Sequence, residues 1–284
     1  MQYAQPCCGI TGPGPFATCG ADEERRVAGN YEFVLYERRG PIAYLTMNRP
    51  EVLNALNRQH QAEIEAAKAE FAEDPEAMVM IMTGAGDRAF CAGADLKSPR
   101  EAGGGGRREQ DLDLRYTLPV WKPMIAAVNG WAVGGGLAYA MQCDIRIASE
   151  TARMGYSEAR IGVPGGPSDN WLFPRYVPYG EAMYYLLTAE FMSAHEAQRI
   201  GLVHEVLPPD RLMARAEEIA LRIAENNQPA VRAIKQAAFV GLSLSFDMSM
   251  RFNHEIARGM RNDSDAGEAR RAFTEKRPAQ YEPS

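Results

Sequence analysis

Short apolar runs, each followed by a glycine-rich turn, recur along this chain and constrain its fold more than any other feature. The run at residues 78–83 ends at Gly84, and the run at 125–128 ends at Asn129-Gly130. Continuous apolar runs of this length are typical of strands that are covered on both faces. Because segments with helical spacing of apolar residues separate the runs, the pattern predicts an α/β domain.

Local patterns predict further elements. Residues 33–36 and 42–46 are two apolar runs around Gly40, which predicts a β-hairpin. Ser193 and Glu196 have the spacing of a capping box, which predicts the start of a helix. The other elements expected from apolar spacing are strands at 145–148 and 203–207 and helices at 59–71, 135–142 and 180–187.

The chain divides into three parts. Residues 1–30 are rich in glycine and proline and lack an apolar stretch, so they are expected to form a flexible tail and not a signal peptide. Residues 31–209 hold the alternating strands and helices, and residues 210–284 have a helical pattern up to residue 261, with a break near 226–229. Four glycines at 103–106 predict a mobile loop within the domain.

Charge and hydropathy exclude two classes of partner. The 284 residues carry a net charge of −6, so no basic surface is expected for nucleic acid or for an anionic membrane. No apolar run approaches the ~20 residues that a membrane-spanning helix needs. We therefore expect neither a nucleic-acid partner nor a membrane.

The five cysteines form an odd and sparse set, unlike the dense pairs of secreted disulfide scaffolds. We therefore expect reduced thiols and a cytoplasmic protein. Cys7, Cys8 and Cys19 lie close together, but no C-x-x-C pair and no nearby histidine accompanies them, so a zinc site is not expected.

Three glycine-rich turns, at residues 83–86, 129–137 and 162–166, carry the first indication of chemistry. Glycines between a strand and a helix expose backbone N–H groups, which can hold a phosphate or an oxyanion; they can also merely permit a tight turn. The dinucleotide fingerprint fails, because Arg88-Ala89 stand where the third glycine should follow Gly84-x-Gly86. No Lys-Ser or Lys-Thr completes a phosphate-binding loop.

Several segments, in the right order, closely resemble the enoyl-CoA hydratase/isomerase (crotonase) superfamily. The resemblance covers the chain from about Tyr31 to Tyr281. The matching segments are residues 48–56, 89–97, 122–136, 143–144, 201–203 and 272–277.

This resemblance implies a crotonase-like spiral of ββα repeats over residues 31–209 and a C-terminal helical region that mediates trimers or dimers of trimers. It implies an acyl-CoA thioester as substrate, and no metal, nicotinamide or other cofactor. The thioester oxygen would lie between the backbone N–H groups of Ala94 and Gly135. Donors placed there stabilise an enolate more than the ground state.

The resemblance also implies a binding channel for coenzyme A and the acyl group. Backbone near Leu96 would meet the adenine, basic side chains would meet the phosphates, and aromatic side chains would line the acyl pocket. The positions carried over are Arg49, Ala55, Leu56, Arg88, Ala92, Asp95, Leu96, Lys97, Trp131, Gly134, Phe273 and Lys276. Trp171, Phe173 and Tyr176 are further aromatic candidates, with core packing as the alternative.

The acid–base residues depart from the hydratase pattern. Hydratases of the family carry two glutamates; the second matches Glu158, but Ala138 occupies the position of the first. Glu158 would therefore act alone, with a pKa raised by burial toward neutrality. Asp169, Tyr139 and Tyr156 are candidate substitutes for the missing acid. The four histidines, His60, His195, His204 and His254, match no catalytic position of the family.

The sequence thus predicts an acyl-CoA enzyme of the enoyl-CoA hydratase type, with hydration of a 2-enoyl-CoA favoured by the family likeness. Because Ala138 replaces an acid, a single-glutamate isomerase or a hydratase-lyase stays open. A non-catalytic acyl-CoA binding protein and an NAD-dependent oxidoreductase are alternatives from other classes.

Overall fold

A computed structural model describes residues 26–27, 30–97, 120–166, 168–260 and 264–277, together with residues 279 and 281. Most of the expected tail, with its three cysteines, and the four-glycine loop lie outside these residues. Elements are numbered in chain order.

The larger sheet contains seven described strands in the order β1-β2-β3-β4-β6-β8-β11. The predicted hairpin is confirmed: β2 and β3 pair antiparallel, and Gly40 in their turn has a φ of 53°. From β3 onward every pairing in this sheet is parallel. The strands are β1 (Arg26–Val27), β2 (Val34–Arg39), β3 (Ile42–Met47), β4 (Val79–Gly84), β6 (Met124–Val128), β8 (Ile145–Ser149) and β11 (Glu205–Leu207).

A second, smaller sheet has the order β10-β9-β7-β5. Its strands are β5 (Ala89–Cys91), β7 (Trp131–Val133), β9 (Arg153–Gly155) and β10 (Phe191–Ser193). Along the chain, β4 lies in the larger sheet and the next strand, β5, lies in the smaller one. The pairs β6–β7 and β8–β9 repeat this order. This repeated step between two sheets confirms the predicted spiral.

The helices fill the connections and the C-terminal third. The structure confirms the capping box, because the Ser193 side chain accepts a hydrogen bond from the Glu196 N–H. The helices are α1 (Arg58–Glu73), α2 (Gly135–Gln142), α3 (Phe173–Tyr176), α4 (Tyr179–Thr188), α5 (Ala194–Arg199), α6 (Leu212–Ala224), α7 (Gln228–Gly241), α8 (Phe246–Gly259) and α9 (Ser264–Glu275). A π-helical turn at Ser168–Leu172 precedes α3.

The larger sheet has a hydrophobic core on each face, which explains its continuous apolar strands. In β4, Met80 and Met82 belong to the core shared with the smaller sheet, α1 and α2. Val79 and Ile81 alternate with them and belong to a second core, which includes buried residues of α6.

The last helices are far less buried. Neither α7 nor α8 contains a buried side chain, and Ile234, Phe246 and Met248 are among their exposed apolar residues. In the described part of the chain, no helix combines the length and the apolar character that crossing a membrane requires.

Candidate active site

Two glycine turns meet where the first helix of the spiral begins. Gly93 has a φ of +84°, and a Cβ built on it would lie 2.6 Å from the Val133 carbonyl oxygen and 3.6 Å from the Gly135 nitrogen. A Cβ on Gly136 would overlap the Cys91 carbonyl oxygen. Only glycine permits this approach. Ala94, which follows Gly93, is thereby brought beside Gly135, as the family resemblance implies.

The hydrogen bonds around Ala94 leave its N–H on the outer edge of the segment. The Leu56 N–H donates to the Gly93 oxygen at 2.8 Å, and the Asp95 N–H donates to the Leu56 oxygen at 2.9 Å. In this parallel pairing the intervening residue presents its own N–H to the opposite side. Gly135 is the first residue of α2, where backbone N–H groups precede the intrahelical ladder. The two N–H groups can therefore serve as oxyanion donors.

The predicted coenzyme A segments, 49–56 and 92–97, form one connected unit. The Arg49 guanidinium donates to the Ala55 oxygen at 2.6 Å and pairs with the Asp95 carboxylate at 3.2 Å. Both charged side chains are largely buried, with 11% and 12% exposure. Leu53 turns the first segment through a φ of 56°. These contacts therefore fix the backbone of both predicted segments next to the candidate oxyanion donors.

The predicted adenine and phosphate contacts of this region lie at the surface. Leu96 is 62% exposed, and Arg88 and Lys97 are also exposed. The Arg88 guanidinium donates to the Pro50 oxygen at 2.7 Å, and so stands over the first segment. Ala92 is half-buried.

Two asparagines that the sequence analysis did not single out hold the turns in place. The Asn54 side-chain amide donates to the Ala89 oxygen at 2.9 Å. The Asn129 amide donates to the oxygens of Gly84 and Gly86 at 2.9 and 2.8 Å. Asn129 directly precedes Gly130 at the end of β6. An asparagine before a glycine is typical of a turn held by the asparagine side chain, so the sequence could have indicated this role.

Glu158 follows β9 and stands beside the oxyanion donors. A Cβ built on Gly134, which has a φ of +49°, would lie 2.5 Å from Glu158 Oε1. Glu158 lines a cavity of about 160 Å³ with Tyr156, Asp169, Leu186 and Leu187 among its other walls. The structure therefore places a carboxylate next to the residue that precedes Gly135.

Asp169 lines the same cavity from the π-helical turn. It is 2% exposed, and its Oδ2 accepts a hydrogen bond from the Gly166 N–H at 2.6 Å. Ala138, at the position of the missing glutamate, is fully buried in α2. Tyr139 is fully buried in the core, and the Tyr156 hydroxyl donates to the Met141 sulfur at 3.4 Å.

The remaining predicted residues do not line this cavity within the described part of the chain. Trp131 is 40% exposed and packs edge-on against Phe191, with ring centres 5.4 Å apart. Phe273 is 87% exposed on α9, and Lys276 is exposed just beyond it. Phe173 packs behind Tyr156, with ring centres 5.3 Å apart.

The two other aromatic candidates stack with arginines, and the histidines stay apart from the cavity. Arg175 lies over the Trp171 ring at 4.0 Å, and Arg146 lies over the Tyr176 ring at 4.7 Å. His60 is buried, with its Nδ1 3.2 Å from the Ala55 oxygen of the first predicted coenzyme A segment. The other three histidines, His195, His204 and His254, are exposed.

Cys91 lies close to the donors but is not suited to be a nucleophile. Burial raises the pKa of its thiol to about 12, so the reactive thiolate is not formed at neutral pH. Among the described residues, no three His, Cys, Asp or Glu side chains come together as metal ligands. Among the described residues that line the cavity, Glu158, Asp169 and Tyr156 carry side chains that could transfer a proton.

Comparison with known proteins identifies the family of this chain. Residues 37–284 match the family model described as enoyl-CoA hydratase/isomerase. The (E)-benzylidenesuccinyl-CoA hydratase of Thauera aromatica is 37% identical over 86% of this chain and 96% of its own length. The short-chain-enoyl-CoA hydratase of Clostridium acetobutylicum is 40% identical over 86% of this chain and 95% of its own length.

Solved structures give the same result. The crystal structure of an enoyl-CoA hydratase from Bacillus anthracis superposes with a TM-score of 0.82 at 31% identity, covering 89% of this chain and all of that one. The chain therefore belongs to the enoyl-CoA hydratase/isomerase family and is an enzyme of the hydratase type.

Proposed function

We propose that this enzyme adds water across the C2=C3 double bond of a 2-enoyl-CoA thioester, with Glu158 transferring a proton over an enolate. The observation that carries this proposal is the position of the Glu158 carboxylate beside Gly134. A thioester oxygen held by the next residue, Gly135, would put the α-carbon within reach of that carboxylate.

The oxyanion donors supply electrostatic stabilisation. In the enolate, the thioester oxygen carries negative charge that the substrate lacks, so the Ala94 and Gly135 N–H groups would bind the transition state more strongly than the ground state. By analogy with other oxyanion holes, each donor contributes roughly 3 kcal/mol. The reaction then needs no cofactor beyond the coenzyme A of the substrate.

Coenzyme A would lie along residues 49–56 and 92–97. The exposed Arg88 and Lys97 are suited to the phosphates, and the exposed Leu96 to the adenine. Phe273 and Lys276, on and after α9, would contribute once a neighbouring subunit or a bound substrate covers them, since both are exposed in this chain.

We also propose a homotrimer or a dimer of trimers in the cytoplasm. The exposed apolar residues of α7 and α8 support an assembly through the C-terminal helices. The few, unpaired thiols of Cys91 and Cys143 support a reducing compartment.

A second candidate is double-bond isomerisation, which Ala138 favours. One carboxylate can remove a proton from C2 and return it at C4 without activating water. Since Ala138 is fully buried and carries only a methyl group, α2 supplies no proton-transfer group at that position.

The deciding experiment follows the absorbance of the conjugated enoyl thioester with purified enzyme. Loss of absorbance from a 2-enoyl-CoA, with the 3-hydroxyacyl product identified by mass spectrometry, is the expected result. A rise from a 3-enoyl-CoA without hydration of the 2-enoyl isomer would favour the isomerase, and a shortened acyl product would indicate a hydratase-lyase. Binding of acyl-CoA with no turnover would overturn the proposal.

A further inference from the structure

Hydration moves two protons at two different atoms, and this sets a requirement on the site. One proton leaves the attacking water, and another reaches C2. Ala138 can supply neither. A second group beside Glu158 is therefore needed if the two protons move through separate side chains.

Asp169 has the burial of such a group. Its side chain lies in the protein interior with 2% exposure, and its Oδ1 is shielded from solvent. Its Oδ2 accepts from the Gly166 N–H at 2.6 Å, while its own N–H donates to the Gly166 oxygen at 3.1 Å. This reciprocal pair anchors the π-helical turn and fixes the carboxyl group of Asp169 in the cavity.

Gly165 separates the two carboxyl side chains. A Cβ built on Gly165 would lie 3.1 Å from Asp169 Oδ2 and 3.5 Å from Glu158 Cγ. Both side chains line one cavity of about 160 Å³. The cavity therefore holds two carboxyl side chains, one on each side of Gly165, and a hydration can use one as base and the other as acid.

We propose that Asp169 is the second catalytic carboxyl group of this enzyme, an inference that rests on the proposed hydration. Asp169 removes a proton from water as the water oxygen bonds to C3. The C2=C3 electron pair moves toward the thioester, and the enolate forms between Ala94 and Gly135. Protonated Glu158 then delivers its proton to C2. One proton has left the water and one has reached C2, and a proton passes from Asp169 to Glu158 to restore the pair.

The position of Glu158 assigns the two roles. Its Oε1 lies beside Gly134, and therefore beside the oxyanion donor of the next residue. C2 is bonded to the thioester carbon, so Glu158 serves C2. Asp169 lies against Gly165, which is close to the Cγ of Glu158 and not to its Oε1, and serves the water at C3.

The test separates catalysis from anchoring of the turn. Asp169→Asn keeps an oxygen that can accept from the Gly166 N–H but cannot take a proton from water. Two reactions are measured: hydration of crotonyl-CoA, and exchange of the C2 protons of butyryl-CoA with D2O, which needs an enolate and Glu158 but no attacking water. The exposed Asp210→Asn is the matched control.

We expect Asp169→Asn to slow hydration about 100-fold while C2 exchange stays within about threefold of wild type. An unchanged hydration rate, or an equal loss in both reactions, would overturn the proposal. If the Asn protein does not fold, Asp169→Ser, whose hydroxyl can also accept from Gly166, is judged by the same ratio. Absence of hydration in the wild type would instead reject the proposed function.

Discussion

Two walls of the proposed active site are built in different ways. The oxyanion wall (Gly93, Ala94, Gly134, Gly135 and Gly136) consists of backbone, and strands fix it from both sides. The proton-transfer wall (Ala138, Glu158 and Asp169) consists of side chains on α2, the loop after β9 and the π-helical turn.

The difference indicates which part of the active-site chemistry the fold itself can maintain when side chains change. A backbone donor survives most substitutions of neighbouring side chains, but it requires glycine wherever chains approach closely. A side-chain acid depends on the identity of one residue, and Ala138 carries only a methyl group, so a different element would have to supply the acid. Membership of the family is therefore a better guide to enolate stabilisation than to the reaction that the enolate then undergoes.

The sharpest test of the proton-transfer wall is Glu158→Gln. The amide keeps the shape but cannot transfer the proton, so we expect kcat for enoyl-CoA hydration to fall about 10³-fold with little change in acyl-CoA binding. Rate assays and calorimetry measure the two effects. A variant as active as the wild type would remove Glu158 from the mechanism.

Gly136→Ala tests the oxyanion wall through stability. The new methyl group would overlap the Cys91 carbonyl oxygen, which is backbone and cannot move aside. We expect a loss of about 3 kcal/mol in the free energy of unfolding, measured with urea. Gly180→Ala is the control, since nothing lies within 4 Å of its Cβ position and alanine favours the helix. Equal stability of the two variants would contradict the close approach.

Gly134→Ala affects both walls at once. Its φ of +49° disfavours any side chain, and the methyl group would lie 2.5 Å from Glu158 Oε1. Because the carboxylate must move, we expect kcat to fall about 100-fold with a folded protein. Circular dichroism checks the fold. Retention of full activity would show that Glu158 does not need its present position.

His60 is buried next to Ala55 of the first predicted coenzyme A segment, and its burial makes the stability of the protein depend on pH. Burial lowers the pKa of His60 below its ordinary value of 6.5, and the charge of nearby Arg49 lowers it further. The unfolded chain therefore takes up the proton first as pH falls below about 6.5, and the free energy of unfolding should decrease by about 1 kcal/mol per pH unit there. His60→Gln should flatten this slope in urea titrations, whereas the exposed His204→Gln should leave it unchanged.

The smallest expected effect is that of Lys97→Ala. Lys97 is exposed, so losing its proposed contact with a coenzyme A phosphate should raise KM about threefold to tenfold without changing kcat. The exposed Arg222→Ala on α6 is the control. A change in kcat alone would assign Lys97 a different role.

The sequence predicted the long elements well because their apolar spacing is set by burial. The helix expected at 135–142 is α2 as observed, and the expected run at 125–128 lies within β6. It did not predict the smaller sheet, whose strands have three residues each, too few to show a periodicity.

For the site, resemblance supplied the positions of Ala94, Gly135 and Glu158, and the structure brings them together. Asp169 could be named from the sequence only as a possible substitute. Its burial and its bond to Gly166 depend on a π-helical turn that no local pattern indicates. The placement of Trp131 against Phe191 likewise depends on contact between strands distant in sequence.

The Arg49–Asp95 pair has a consequence for the kinetics of substrate capture. It braces the two segments along which coenzyme A would lie, and both partners are already shielded from water. The long, flexible coenzyme A part of the substrate would thus meet two segments that are already held in place, so ordering residues 49–56 and 92–97 adds little to the conformational entropy lost on binding. We expect these two segments to leave the association rate to be set by encounter.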